Sequence, residues 1–441
     1  MRNTKNKETR ADKNVHPTDI TLARHRASVL AAVVFVALMW VSAVRGGEPA
    51  LGSAEYRVSV ERPLGWRGDG GGQFPGASPV TEWSATKNVR WSATVGASYS
   101  SPVVTEKSVI VTSEPGTIVC VNRADGMVRW KVEVKPGDIA DEKGRKVAEN
   151  YTPPKDGSGM AAATPLTDGT NVYAVFANGI VRALDMEGKP KWAVCIEADQ
   201  NTGYGRSASP IMAGGKLIVH MTNLYAFDPA TGKQLWVNNE AKSSYGSPMT
   251  MQVNDVDVIV TPAGDVVRAA DGKGLASDIG HAGHSTPIDG GGGVAIFADT
   301  TVSAVRLDKA FKDEEIWSGS VSGDVFGSPI LYEKTLFVVT EAGELFAFDS
   351  AGKGALDPLI EKRPLLEGAS GAGPAAYASL TLAGKYLFFS SNRGEMVVLE
   401  ATREAKLVHR NKLARGSGTS PVFWGKQMFL RDGDKLLCIG E

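Results

Sequence analysis

The 441-residue chain has few cysteines, no excess of positive charge and little long apolar sequence. Its three cysteines, Cys120, Cys195 and Cys438, are odd in number and lack paired spacing, so no disulfide framework is implied. The glycine runs Gly70-Gly71-Gly72 and Gly290 to Gly293 lack the Lys-Ser/Thr of a phosphate-binding loop. Arg67-Gly68-Asp69 reads as part of a Gly-rich leader, its likeness to an adhesion tripeptide being a coincidence. Beyond residue 46 the chain has 40 Lys and Arg against 46 Asp and Glu, a charge of −6. That balance argues against a nucleic-acid partner.

One stretch does have membrane-spanning length. Residues 27 to 44, ASVLAAVVFVALMWVSAV, form an eighteen-residue run without charge behind a basic segment, residues 1 to 26. Charge excluded from every face disfavours a core helix, and the basic flank is expected to stay cytoplasmic. Everything after residue 46 is then exported. Val41-Ser42-Ala43 fits a small-residue cleavage site, whereas the long basic region fits an uncleaved anchor. Both a signal peptide and a single N-terminal anchor over 27 to 46 stay open. No cysteine follows the segment closely enough for lipid attachment.

The rest is rich in turn residues. Fifty glycines and many short Val/Ile/Leu runs predict an all-β chain. A small-Ser/Thr-Pro-apolar element recurs as SSPVV, ATPLT, ASPIM, GSPMT, STPID, GSPIL and TSPVF, with a degenerate YASLT starting at Tyr377. With positions 102, 165, 210, 248, 287, 329, 379 and 421 as markers, the intervals are 63, 45, 38, 39, 42, 50 and 42 residues. Most match a four-stranded propeller blade of about 40–45 residues. The prediction is an eight-bladed β-propeller of four-stranded antiparallel blades.

Within each copy the third strand reads apolar-x-small-apolar-Asp and ends at Asp185, Asp228 or Asp349. These Asp residues are expected to bond backbone N–H groups in a turn whose Gly supplies positive φ. Cys120 and Cys438 occupy the small position and read as core residues. The fourth strand carries Trp130, Trp192, Trp236 or Trp317, each expected to pack between neighbouring sheets; Ala276 and Val408 mark weaker copies. The last copy lacks a fourth strand, whereas KNVRWSATV, residues 87 to 95, has that pattern around Trp91. The N-terminal strand is therefore expected to complete the last blade and close the ring. The domain reading is a Gly-rich leader over 47 to 86 and a propeller over 87 to 441.

FDPATGKQLW, FDSAGKG and LDMEGKPKW, together with the preface GWRGDGGGQFPGASPVTEWSATKNVRW, carry a resemblance to propellers with pyrroloquinoline-quinone-type repeats. That group contains quinoprotein alcohol dehydrogenases and bacterial outer-membrane-protein assembly factor B. The resemblance spans about residues 84 to 441. For an enzyme it implies a central quinone with calcium, acidic and amide ligands, a catalytic Asp, a stacking Trp and a disulfide between adjacent cysteines. No Cys-Cys pair exists here. Eight of the nine tryptophans lie in the apolar segment, the leader or fourth strands, and Trp424 lies near a first turn. No cofactor and no catalytic residue are expected.

Loops 135 to 159, 200 to 206 and 361 to 376 each lead from a fourth strand to the next first strand, so they emerge on one face. That face is the candidate partner surface, with Tyr151, Tyr204, Arg206, Tyr245, His281, His284 and Phe326 as contact residues. His281 and His284 are also a weak metal candidate, lacking an identifiable third ligand; exposed loop histidines are the commoner reading. The reading of function is an exported, non-catalytic, monomeric scaffold for envelope protein partners, concerned with outer-membrane assembly. The alternatives are a quinone-dependent envelope oxidoreductase and a propeller that binds a glycan or small ligand.

Overall fold

The computed structural model describes residues 48–84, 86–155, 158–197, 204–367 and 376–441. The segment 27–44 lies outside them, and among them no helix is long and apolar enough to cross a membrane. Residues 49–441 form one compact unit.

Eight sheets follow one another along the chain. Blade 3 shows the plan: Ile211–Ala213, Lys216–His220, Leu224–Phe227 and Gln234–Asn238 pair antiparallel in that order. The second and third strands are buried on both faces because each sheet lies between two others, which explains their nearly unbroken apolar sequence. Blade 8 takes its fourth strand from the N-terminal side. Val89–Thr94 pairs antiparallel with Lys435–Ile439, as the missing strand of the last copy requires.

The expected turns are present. Asp228 accepts N–H bonds from Ala230 and Thr231 through one oxygen, and Asp185 accepts from Glu187 and Lys189. The tryptophans pack between blades as expected and are also hydrogen-bonded. Trp91, Trp130, Trp192, Trp236 and Trp317 each donate their indole N–H to a carbonyl of the next blade, at Arg123, Met186, Pro229, Ala269 and Ser350, over 2.9–3.2 Å. The turn glycine supplies the flat seat. Gly232 has φ +72°, and a Cβ there would come within 2.5 Å of the Trp192 indole. Glycine is thus required for both its backbone and its missing side chain.

Three local features differ from expectation. Residues 361–364, expected in a connecting loop, belong to the fourth strand of blade 6, Ile360–Pro364, because the chain first spends Gly354–Leu356 as a parallel fifth strand on blade 5. The connection after blade 1 contains a helix, α1 (Glu142–Asn150), whose N-cap Asp141 accepts the Gly144 N–H at 2.6 Å. In the seventh copy, Leu380 takes the proline position one residue later than the marker, since Ser379 does what the serine before proline does elsewhere.

The leader is folded into the propeller. Leu64 bridges Thr167 on the inner strand of blade 2, Arg67 donates to the carbonyls of Pro329 and Leu380 in blades 6 and 7, and Gln73–Phe74 adds in parallel to the inner strand of blade 7. Blades 2 and 6 face each other in a ring of eight, so residues 64–74 cross the central channel. Arg67 is fully buried, and that burial lowers its pKa to about 9. A Cβ on Gly72 would meet its guanidinium at 2.4 Å. The Arg-Gly-Asp tripeptide and the glycine run therefore build a channel crossing.

Candidate functional site

The residue before each proline position is Ser or Thr, and these eight residues form a circle. The N–H of Ser101 donates to the Thr164 hydroxyl, Thr164 to Ser209, Ser209 to Ser247 and Ser247 to Thr286. Thr286 continues to Ser328, Ser328 to Ser379, Ser379 to Ser420, and Ser420 returns to Ser101. All eight distances lie between 2.8 and 3.2 Å. Each blade is thus tied to the next at the axis, and all eight side chains are buried.

Above this circle opens a cavity of about 590 Å³ whose walls include all eight of these residues. Trp66 of the leader also lines it, placing the channel crossing at its inner end. The tier two residues earlier in each blade is irregular: Tyr99, Ala162, Ser207, Tyr245, His284, Phe326, Tyr377 and Gly418. The aromatic members touch in series. His284 stacks on Tyr245 at 5.1 Å and meets Phe326 edge-on at 4.3 Å, while Phe326 stacks on Tyr377 at 5.5 Å. Tyr377 contacts Tyr99, and Tyr204 extends the series beyond Tyr245. Six aromatic side chains form an arc around the mouth, with Tyr204, Tyr99 and Tyr377 exposed by 59%, 51% and 43%.

Tyr204, Tyr245, His284 and Phe326 therefore stand together, on the face where the blade connections enter. Tyr151 does not join them: it is buried, with its hydroxyl beside Gly205. Arg206 is half-buried and directs one nitrogen at the Ser244 carbonyl, 3.5 Å away. His281 turns to Asp299, 3.4 Å from its carboxylate, whereas His284 belongs to the arc. Burial lowers the His284 pKa against the opposing pull of Asp299 and Asp324. Among the described residues no group of three or more His, Cys, Asp or Glu is arranged to hold a metal ion.

Four residues that matter here were not singled out from the sequence: Tyr99, Tyr377, Trp66 and Asp324. The first two follow from aligning the third residue before each proline position. Asp324 lies on the cavity wall with Glu341 beside it; burial and then the Asp324 charge raise the Glu341 pKa. Trp66 had no local signal, because its place depends on the channel crossing.

A quinone with a cation does not fit this cavity. Trp66 offers an aromatic surface, yet among the described residues Asp324 is the sole carboxylate on the walls, and no Asn or Glu side chain lines them. The donor set is hydroxyl and aromatic, which suits neither a hard cation nor a catalytic base beside it. Cys120 and Cys438 are buried, Cys195 half-buried, and all three are free thiols.

A family profile described as outer membrane protein assembly factor BamB matches residues 77–306, just over half of the chain. No curated protein matches the sequence. Among solved structures, BamB from Moraxella catarrhalis is similar at 13% identity and a TM-score of 0.53, over 77% of this chain and 93% of that one. The quinohemoprotein alcohol dehydrogenase from Comamonas testosteroni is 11% identical with a TM-score of 0.54, over 82% and 78%. The computationally designed Ika8 protein is 12% identical with a TM-score of 0.55, over 80% and 100%. At such identities the structural likeness speaks for the fold alone, since an assembly factor, an enzyme and a design share it. The profile match and the eight sheets agree: the chain belongs to the BamB-type family of pyrroloquinoline-quinone-like propellers.

Proposed function

We propose that the chain is an exported, non-catalytic propeller scaffold of the cell envelope that docks a protein partner on the face bearing the aromatic arc. The observation that carries this reading is the arc itself. Six aromatic side chains in series, three of them 43–59% exposed, are unusual on a surface that has nothing to bind. Membership of a family named for an outer-membrane assembly factor supports a protein partner, and the basic-then-apolar N-terminus supports export. That the described residues of the wall include no converging acid, base and nucleophile supports a binding role. The partner is an envelope protein, and the propeller acts as a monomer with residues 27–44 as its signal or anchor.

The test is photo-crosslinking in cells from positions 99, 204 and 377, with position 407 on an outer strand as control. Leu407 is 52% exposed and remote from the arc in the blade plan. The expected result is one envelope protein captured from the three arc positions and not from the control. Capture from position 407 alone, or from none, overturns the reading.

A further inference from the structure

The cavity's inner tier has hydrogen-bonding capacity that the protein does not use. Each of the eight ring hydroxyls accepts one N–H, and among the described residues none donates to a protein acceptor. Every ring residue is nine-tenths or more buried and lines the cavity. Eight hydroxyls therefore line one cavity, each with an O–H to which the described residues offer no acceptor, and buried donors need acceptors. Above them stand the rings of Tyr245, Phe326 and Tyr377, with the Asp324 carboxylate on the wall.

These groups discriminate among ligands. An anion meets Asp324, with Glu341 beside that carboxylate, and among the described residues no cationic side chain lines the cavity. Arg67, below, is sealed from it and committed to two carbonyls. A cation finds Asp324 but meets O–H protons further in. An apolar ligand strands all eight donors. A neutral polyol suits every group: its oxygens accept from the ring, its hydroxyls donate to Asp324, and its C–H faces lie against the aromatic rings. The volume of about 590 Å³ is that of a small-ligand site.

We propose that the cavity binds the end of a neutral saccharide, with the hydroxyl ring as its inner contact and the Phe326–Tyr377 stack as its flat wall. This goes beyond the scaffold reading and holds whether or not a protein docks on the rim.

Titration of the full chain in mild detergent, by calorimetry and tryptophan fluorescence, tests it. The probes are maltotriose, cellotriose, mannotriose and triacetylchitotriose, with trigalacturonate as the acidic and chitotriose as the basic comparison. The expected result is saturable one-to-one binding of at least one neutral trisaccharide, with a Kd of about 1 mM or tighter. Tyr377→Ala weakens it by about tenfold, Tyr377→Phe keeps it, and Trp66→Phe removes the fluorescence response while calorimetric binding persists. Unchanged unfolding curves show that the variants fold. The inference is overturned if no neutral probe saturates at about 10 mM, if a charged probe binds more tightly than every neutral one, or if Tyr377→Ala binds like the parent. Each of these outcomes leaves the crosslinking result at the rim unaffected.

Discussion

Two tiers of the same cavity, two residues apart in every blade, follow opposite rules. The inner tier is Ser or Thr eight times over, because each hydroxyl must accept a neighbour's N–H for the ring to close. The outer tier holds four aromatic side chains besides His284, and otherwise Ala, Ser and Gly, because nothing in blade stacking prescribes what stands there. The backbone enters both tiers in the same way, so the difference lies in the demand on the side chain. A position that repeats serves the ring; a position that varies from blade to blade is available for recognition.

That contrast can be broken most severely at the seam. Deleting residues 84–96 strips blade 8 of its fourth strand and of Trp91, whose loss alone is worth about 3–5 kcal/mol. With the ladder bonds gone as well, the loss should exceed about 5 kcal/mol and appear as a collapsed or absent cooperative transition by circular dichroism. Trp236→Ala removes one indole from its glycine seat and its bond to Ala269, and should cost about 3–5 kcal/mol in denaturant unfolding. Ser247→Ala leaves the buried Ser209 N–H without its acceptor and should cost about 1–3 kcal/mol, whereas Ser247→Thr should cost less, since Thr164 and Thr286 already fill this position in two blades. Tyr99→Ser, in the outer tier, should change stability by no more than about 0.5 kcal/mol. If Tyr99→Ser and Ser247→Ala proved equally costly, the division between the tiers would fail.

The repeat is legible in the sequence because its markers are local: a Pro after Ser or Thr, an Asp before a Gly turn, a Trp in the fourth strand. Even the closing strand can be read, since Trp91 sits in a pattern shared with Trp130. Legibility fails where a marker is missing or its partner is distant. Leu380 replaces proline, so the seventh copy reads one residue early, and the Ile360–Pro364 strand has no Trp to announce it. Arg67 acts across the channel on carbonyls more than 260 residues away and Trp66 lines the cavity beside that crossing, and no local pattern encodes either placement. Of the site, Tyr204, Tyr245, His284 and Phe326 are legible as loop residues on a common face. Their joining into one arc with Tyr99 and Tyr377 emerges only when the blades curve round. Tyr151 misleads because an exposed loop and a buried side chain within it look alike in sequence.

The seam also governs the order in which the molecule can be completed. Arg431 donates to the carbonyl of Ser100, 331 residues earlier, and Val89–Thr94 pairs with a strand that ends two residues before the last. The closing strand precedes the seven other blades in the chain and its partner follows them. Until the two pair, the row of backbone N–H and C=O groups along Val89–Thr94 has no counterpart, the condition in which strands associate wrongly. Loop closure over such a span is thermodynamically mild, each doubling of length costing only about 0.6 kcal/mol. Contact order is where the burden falls: the seven other blades can form from near neighbours, whereas blade 8 waits for both ends of the domain, which makes its assembly the slow and vulnerable event.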